Sequence, residues 1–398
     1  MITKSNIQFS LVALLVMTLA CASPIPAGNN VETIVAGTLQ ALPEAGATTP
    51  APTLTLLPFS MYYINNDSAG IQQVHRLERD GVTVTQVTFE PASVEDYDVS
   101  RQNGSVVYVS NNQLLWVNAD GSDRRLLLDG GPIDPNNGFL SNINGPVFSP
   151  NGETIAFGYN GLNFYSLATG QSNLLIPDLI EDQGNGFIFP RELIWPEMYS
   201  ADGSKLIVTL GYYEGASAAI YYPNGGALVR LNGDEGALIC CGETELTPDG
   251  SAFYAANPFI GMFLPGMWWV DTASGNTTSL LSSDGALTNS ADEPFLAPDG
   301  NLYYFFVSQP VEPGGSSRGP LQLVRSAPDG VTNRTVLRPE TFELMNEALW
   351  APDGSLVITA MAPIQDIYVG GAPQVVYTDP AKATVPLVPF AINMKWGP

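Results

Sequence analysis

The 398-residue chain has little of what many catalytic and metal sites are built from: one histidine, His75, and three cysteines. No His/Cys cluster forms a transition-metal site, and Ser–His–Asp catalysis would rest entirely on His75. No phosphate-cradling glycine motif occurs. We therefore expect His75 to be an ordinary strand residue, and we predict that the chain is not an enzyme.

Basic residues are also scarce, with 15 against 39 acidic ones, which gives a formal net charge of −24 at pH 7. Nucleic acids and anionic membranes are polyanions that attract basic patches, so we predict that neither is a partner. Charged residues make up only 14% of the chain, whereas 39 glycines, 32 prolines and 10% aromatic residues favour a turn-rich β protein.

The one long apolar run, LVALLVMTLA, follows Lys4 and ends directly before Cys21. This is the pattern of a secretion signal, and Ala20 before Cys21 resembles a bacterial lipobox, with Thr18 where the usual pattern has Leu. We predict a signal peptide at residues 1–21, a lipid on Cys21, and an exported lipoprotein anchored on the outer side of the cytoplasmic membrane or at the cell surface. The alternative is cleavage after an Ala-x-Ala-like site, which leaves the exported protein soluble.

A tetrapeptide turn recurs along the rest of the chain. It reads SPNG at Ser149, SADG at Ser200, TPDG at Thr247, and APDG at Ala297 and Ala351, with a degenerate copy at Ser100. The intervals lie between 47 and 54 residues, and a period near 50 with several short strands per unit is typical of a β-propeller. The Pro-Asp/Asn-Gly order suits a tight reversal between two strands.

Each unit contains four apolar or alternating runs, which predicts a four-stranded antiparallel blade. Six full units occur, and the two chain ends share the seventh, because Trp396 of the last run aligns with Trp350. We predict a tether at residues 22–56 and, at 57–398, an all-β, seven-bladed propeller closed by pairing of the C-terminal strand into the first blade. The predicted blades span about 59–90 plus 391–398, 95–130, 144–178, 192–233, 240–284, 291–340 and 345–390.

The Ser-Pro-Asp-Gly turn after an aromatic or apolar strand resembles the TolB-like, WD-type propeller repeats over about residues 59–398. This resemblance implies the propeller fold but no single function. The family includes periplasmic Tol–Pal partners, propellers attached to peptidases, and envelope lipoproteins.

Short turns and long loops are expected on opposite faces of such a ring. The Pro-Asp-Gly turns and the turns between third and fourth strands are short and share one face, the short-turn face. The loops between second and third strands and between blades are long and share the other, the long-loop face. Since loops held by a rigid scaffold usually carry binding, we predict the binding site on the long-loop face.

Acidic residues recur four positions before the turns, where the innermost strands would line a central channel at the long-loop face. Three interpretations stay open: hydrogen bonds to backbone N–H groups of a neighbouring blade, binding of a hard cation such as Ca²⁺, or contact with a partner. No other cofactor is expected. The acidic candidates are Asp96, Glu197, Glu243, Glu245, Asp292, Glu293 and Glu347.

Two long loops add apolar residues that would form a contact surface or plug the channel. The adjacent Cys240 and Cys241 would form a vicinal disulfide or stay as thiols. The apolar candidates for the binding face are Phe187, Phe189, Trp195, Phe259, Met262 and Phe263.

From these features we predict a lipid-anchored, monomeric scaffold that binds an envelope protein or glycan on the long-loop face. The alternatives are a carboxylate-based polysaccharide hydrolase or lyase at the channel mouth, and a cation-stabilised structural domain.

Overall fold

A computed structural model describes residues 55–398 except 185, 187, 214, 233–243, 259–264, 283–284, 312–318, 344 and 363–368. The described residues form 29 strands in seven antiparallel sheets, which are the blades of a propeller. The predicted all-β, seven-bladed fold is therefore confirmed. No helix in the described ranges is long and apolar enough to cross a membrane.

The first three blades follow the predicted four-strand pattern. Blade 1 contains β1 (Met61–Asn66), β2 (Gln72–Leu77), β3 (Val84–Gln86) and the C-terminal β29 (Ile392–Trp396). Blade 2 contains β4 (Val94–Val99), β5 (Val106–Ser110), β6 (Gln113–Val117) and β7 (Arg125–Asp129). Blade 3 contains β8 (Asn144–Phe148), β9 (Thr154–Gly158), β10 (Gly161–Ser166) and β11 (Gln171–Pro177).

Blades 5 to 7 also have four strands each. Blade 5 contains β17 (Thr244–Leu246), β18 (Ala252–Asn257), β19 (Gly266–Asp271) and β20 (Thr277–Leu281). Blade 6 contains β21 (Leu287–Leu296), β22 (Leu302–Pro310), β23 (Leu321–Ser326) and β24 (Thr335–Phe342). Blade 7 contains β25 (Met345–Trp350), β26 (Leu356–Met361), β27 (Ala372–Tyr377) and β28 (Val385–Pro386).

Blade 4 differs from the prediction because it has five strands. It contains β12 (Leu179–Asp182), β13 (Ile188–Tyr199), β14 (Leu206–Tyr212), β15 (Gly215–Tyr222) and β16 (Ala227–Arg230). The segment expected to be an irregular loop before residue 192 is a hairpin in which β12 pairs with the first half of β13. Asp182 stabilises the turn by accepting a hydrogen bond from the backbone N–H of Gly184 at 2.8 Å.

The repeated turn has the conformation that its residues predict. In the turn at Ser149, the N–H of Gly152 donates to the carbonyl of Ser149 at 2.8 Å. Asn151 accepts the N–H of Glu153 at 3.1 Å, and Gly152 has a φ of 71°, which a residue with a side chain rarely adopts. The same bonds recur in the turns that begin at Ser200, Thr247, Ala297 and Ala351.

The hydrophobic core is divided into seven clusters, one at each interface between neighbouring blades. At the closing interface, Met61, Tyr63 and Trp396 of blade 1 pack against Leu356 and Ile358 of blade 7. An apolar residue on either face of a blade is thus buried, as is typical of a ring without open ends.

The C-terminal strand closes the ring as predicted. Met61 of β1 pairs with Trp396 of β29, and Tyr62 pairs with Lys395, so β29 is the innermost strand of blade 1. The indole N–H of Trp396 donates to the backbone carbonyl of Trp350 in blade 7 at 2.7 Å. The last strand of the chain therefore holds the first blade to the seventh.

Candidate functional site

A cavity of about 880 Å³ lies between the innermost strands of the blades. Its walls include Gln72, Asn142 and Ala216, which stand at the long-loop ends of their strands or in the loop before one. The cavity is therefore the long-loop end of the central channel. Four of the predicted acidic residues meet there: Asp96 of β4, Glu197 of β13, Glu293 of β21 and Glu347 of β25.

Three of these carboxylates join neighbouring blades. Asp96 accepts the backbone N–H of Gly145 in blade 3 at 3.0 Å, and Glu293 accepts that of Ala348 in blade 7 at 2.7 Å. The two oxygens of Glu347 accept the backbone N–H groups of Asn393, at 2.9 Å, and Met394 in blade 1. We call Asp96, Glu293 and Glu347 the seam carboxylates.

The seam depends on a local irregularity of the innermost strands. Each of the pairs β4/β5, β8/β9, β13/β14, β21/β22, β25/β26 and β29/β1 shifts register near the position four residues before the turn. The affected backbone N–H groups are thereby re-aimed away from their own sheet, as β-bulges commonly do. A carboxylate from the preceding blade then accepts the hydrogen bond of a donor that its own sheet leaves unpaired.

Glu197 and Glu95 are not used in this way. Oε1 of Glu197 accepts the indole N–H of Trp195 at 3.1 Å and the hydroxyl of Thr209, both from its own blade. Within the described part of the chain, Oε2 of Glu197 accepts no hydrogen bond, and Glu95 makes neither a hydrogen bond nor an ion pair. Both side chains are exposed to solvent in the cavity wall. These two carboxylates can therefore contact a ligand without opening a seam.

One basic residue, Lys395 of β29, lies among the carboxylates that line the cavity. Its ammonium group is 3.3 Å from Oδ1 of Asp98 and lies over the ring of Tyr97 at 5.4 Å. Burial lowers the pKa of Lys395, but the carboxylates of Asp98, Asp96 and Glu197 outweigh burial and raise it. Lys395 therefore stays charged and offsets only part of the acidity of the wall.

The surroundings raise the pKa of several of these acids. Burial raises the pKa of Glu347 to about 7, against the opposing effects of its two N–H donors and Lys395. Desolvation by the cavity walls raises the pKa of Glu197, and Asp96 adds to the effect. Burial also raises the pKa of Asp96, whereas Lys395 and the N–H donors of Tyr97 and Gly145 lower it. Burial of the carboxyl groups is the largest cause in all three cases.

Trp195 positions the Glu197 carboxylate, which accepts its indole N–H, and it does not line the cavity itself. Its ring packs over Gly211, where an added Cβ would come within 2.6 Å of two ring atoms. Phe189 lies in the part of β13 that pairs with β12. Its ring stacks on Tyr213 at 5.1 Å, and the guanidinium group of Arg191 lies over the Phe189 ring at 4.8 Å. Both predicted residues are thus in blade 4, and Trp195 holds a cavity carboxylate in place.

The other predicted residues do not join the cavity wall or lie outside the described residues. Asp292 is buried beside Glu293, and Glu245 lies in β17, where burial raises its pKa to about 7 and Arg101 opposes the shift. The structure does not describe Cys21, Phe187, Cys240, Cys241, Glu243, Phe259, Met262 and Phe263.

Sequence reasoning missed Glu95 and Lys395. Glu95 directly precedes Asp96, and Lys395 stands two residues after Asn393, so the alignment of innermost strands contained the signal for both. His75 is a strand residue as expected: it stacks on Tyr63 at 5.7 Å, and burial lowers its pKa. Across the described ranges, no three His, Cys, Asp or Glu side chains form a group that could hold a metal ion.

Comparison with known proteins supports the fold but identifies no family. No protein-family model matches the chain, and no curated protein matches it. An oligogalacturonate lyase solved in complex with manganese is 12% identical over 80% of this chain and 82% of the lyase, with a TM-score of 0.51. Prolyl oligopeptidase B from Galerina marginata is 9% identical, with a TM-score of 0.53 over 85% of this chain and 50% of the peptidase.

A TolB from Agrobacterium tumefaciens is 17% identical over 77% of this chain and 99% of that protein, with a TM-score of 0.41. The chain spans about half the length of the prolyl oligopeptidase. At these identities the likeness establishes the β-propeller architecture alone. The TolB-like assignment of the repeat itself stays a prediction.

The prediction that the chain is not an enzyme is contradicted. It rested on the scarcity of His, Cys and Ser motifs, yet an oligogalacturonate lyase and a prolyl oligopeptidase contain the same architecture. Propellers thus occur both in enzymes and in binding proteins, and the missing motifs do not separate the two. The described residues establish no catalytic site.

Proposed function

We propose that this chain is an exported, lipid-anchored propeller that binds a protein or glycan of the cell envelope at the channel mouth. The observation that carries the proposal is the division of labour among the acids. Asp96, Glu293 and Glu347 hold the blades together, whereas Glu95 and Glu197 face the cavity with oxygens that no seam requires. Concave sites with a few well-placed polar groups are typical of ligand binding.

The charged groups of the cavity wall restrict the kinds of ligand that can bind there. Its wall carries five carboxyl groups and one ammonium group, so a ligand with many carboxylates or phosphates would be repelled. Hydroxyl groups or amines can donate hydrogen bonds to Glu95 and Glu197, because ionised carboxylates only accept them. A neutral glycan or a protein loop with a basic residue meets both conditions.

Capture from solubilised cell envelope tests this proposal. Wild-type protein is compared with the Glu95→Gln/Glu197→Gln variant and with a control, Asp123→Asn/Glu153→Gln, which removes two charges on the short-turn face. We expect wild type and control to retain the same molecule and the cavity variant to lose it at least 10-fold. Equal retention by all three proteins would exclude the channel mouth as the site.

A second candidate is a carboxylate-dependent hydrolase or lyase acting on polysaccharide. One observation favours it: the Glu197 carboxyl is open to solvent, is oriented by Trp195 and Thr209, and has a raised pKa, as a general acid requires. Incubation with neutral polysaccharides, followed by assay for new reducing ends or unsaturated products, separates the two functions. Turnover that Glu197→Gln abolishes and Glu153→Gln retains would support the enzyme.

A further inference from the structure

The seam between blades 3 and 4 cannot form the bond that the seam carboxylates make elsewhere. At the position four residues before the turn, blade 3 has Gly145, which carries no carboxylate, and blade 4 has Pro196, which has no backbone N–H. The two residues lie in close contact instead, because a Cβ added to Gly145 would come within 2.7 Å of the carbonyl oxygen of Pro196. Among the described residues, no carboxylate of the cavity wall joins these two blades.

Two asparagines beside this seam have unpaired amides. Asn142 lies in the loop before β8, Asn144 is the first residue of β8, and both line the cavity. Oδ1 of each is buried and accepts no hydrogen bond from the residues that the structure describes. Buried polar atoms without a partner are rare in proteins, so these two amides indicate a bound molecule that pairs with them.

One of these amides lies close to Glu197. A Cβ built on Gly158 would overlap Oδ1 of Asn144 and would lie 2.9 Å from Cβ of Trp195. The indole N–H of Trp195 in turn donates to Oε1 of Glu197 at 3.1 Å. Asn144 of blade 3 and Glu197 of blade 4 therefore lie next to the same indole side chain.

Glu95 approaches the same place from blade 2. It directly precedes Asp96, which accepts the backbone N–H of Gly145 at 3.0 Å, and Gly145 directly follows Asn144. Burial and then the nearby charge of Asp96 raise the pKa of Glu197, so blades 2 and 4 approach each other here. Two carboxylates and two amides thus share one part of the cavity wall. We call this part the polar sector, and its residues are Glu95, Asn142, Asn144 and Glu197.

The polar sector matches a ligand that both donates and accepts hydrogen bonds. Ionised carboxylates only accept, whereas an asparagine amide accepts through its oxygen and donates through its nitrogen. A hydroxyl group does both, so neighbouring hydroxyls can bond a carboxylate and an amide together. An ammonium or guanidinium group only donates and would leave the amide N–H groups without acceptors. A carboxylate or phosphate would be repelled by the acidic wall.

We propose that the ligand of the channel mouth is a neutral, hydroxyl-rich saccharide that binds to the polar sector. Its hydroxyl groups donate to Glu95 and Glu197 and accept from the amide groups of Asn142 and Asn144. The cavity of about 880 Å³ falls within the range of ~300–1,000 Å³ that is typical of small-molecule sites, so it can take a short segment of a glycan. This inference rests on the proposed binding function and selects a glycan over a basic protein loop.

Isothermal titration calorimetry of the full-length chain with short oligosaccharides tests the proposal. The neutral probes are maltohexaose, cellohexaose, mannohexaose and chitohexaose, and hexalysine is the cationic comparison. We expect at least one neutral probe to bind with a dissociation constant below about 1 mM. Its affinity should change less than about 2-fold between roughly 20 and 500 mM salt, because a neutral ligand carries no charge to be screened.

Substitution of the asparagines places the bound saccharide. Asn142→Ala and Asn144→Ala should each weaken binding by about 10-fold, because each removes hydrogen bonds to the ligand. The matched control is Asn173→Ala on the exposed face of β11 in the same blade, which should leave the affinity unchanged. Since neither amide of the polar sector bonds to a described residue, both variants should fold, and thermal unfolding without saccharide verifies this.

Three results would overturn the proposal. The first is that no neutral probe binds, and the second is that a probe binds but Asn144→Ala and Asn173→Ala affect it equally. The third is that hexalysine binds more tightly than every neutral probe, with an affinity that falls as salt is added. If envelope capture still depends on Glu95 and Glu197 in any of these cases, the channel mouth remains the binding site and only the saccharide is wrong. If that dependence is also absent, the proposed function fails as well.

Discussion

The carboxylates of this channel have two roles: some bond the next blade, and others face the cavity. The position of the next blade's backbone N–H groups determines which role a carboxylate has. Asp96 and Glu347 lie where a re-aimed N–H of the following blade is within hydrogen-bond distance. Glu197 is one residue off this position, because Pro196 occupies it, and its partners are side chains of its own blade. A shift of one residue thus separates an acid that holds the ring from one that faces a ligand.

The raised pKa of Glu347 predicts a pH-dependent stability. Its pKa is about 7 in the folded protein, against 4.5 for an unperturbed glutamate, so the folded form holds the proton more tightly than the unfolded chain. The contribution of Glu347 to stability is then greatest below pH 4.5 and is lost as pH rises to 7. Glu347→Gln should abolish this loss, so its free energy of unfolding should gain roughly 2–3 kcal/mol relative to wild type between these pH values.

Urea unfolding of both proteins at several pH values measures this difference. Glu153→Gln, on an exposed turn, is the control and should run parallel to wild type throughout. A constant difference between Glu347→Gln and wild type would show that Glu347 is ionised over the whole range.

The contact between Trp195 and Gly211 predicts a second effect at residue scale. In Gly211→Ala, the new Cβ would overlap the indole ring, so Trp195 must move and weaken its bond to Glu197. We expect a loss of about 1–3 kcal/mol in stability. We also expect a further rise in the pKa of Glu197, measured by NMR titration of its carboxyl group. Gly138→Ala, where the nearest atom is 3.6 Å away, should change neither quantity.

Among the elements, β29 closes the ring because it pairs with β1 of the first blade. Trp396 is 3% exposed and packs between blades 1 and 7. Trp396→Ala should cost about 3–5 kcal/mol through the cavity it leaves. Trp396→Phe, which keeps most of the ring but loses the bond to Trp350, should cost roughly 1–2 kcal/mol.

Hydrogen exchange locates this loss. In Trp396→Ala the amides of β1 and β29 should exchange faster than those of β9 and β14, since the closing seam opens before the other blades. Uniform acceleration in all blades would mean that the ring unfolds only as a whole.

The repeated elements could be predicted from sequence because their turns carry specific chemistry. The Pro-Asp-Gly order fixes a reversal every 50 residues or so, and the apolar runs between reversals then have to be strands. The hairpin of β12 and β13 has no such turn, and Pro190 interrupts its alternation, so its sequence favours a loop although the segment is paired. The acidic positions could be aligned as well. Only some of these acids accept hydrogen bonds from the next blade, and which ones do so depends on β-bulges in the sheet of that blade. The identity of the acidic residue does not indicate where those bulges are.

At the scale of the molecule, the chain enters the propeller at the end opposite the cavity. The backbone N–H groups of Leu56 and Leu57 donate to the carbonyl of Arg79 at 2.8 and 3.0 Å. Arg79 lies in the turn between β2 and β3, on the short-turn face. The first described residues therefore lie at the short-turn face, whereas the cavity opens at the long-loop face.

The proposed lipid anchor and the proposed binding site can be tested separately. Cys21→Ser should move the protein from the detergent phase to the aqueous phase on phase partition, because each buried CH₂ of a lipid contributes about 0.8 kcal/mol to membrane binding. The same variant should capture its envelope ligand with unchanged affinity, since Glu95 and Glu197 lie at the other end of the channel. Wild-type protein found wholly in the aqueous phase would refute the lipid anchor and favour simple signal cleavage. Loss of capture by Cys21→Ser would instead mean that the protein reaches its ligand only when it is anchored in the membrane. The channel mouth would then have to face the membrane.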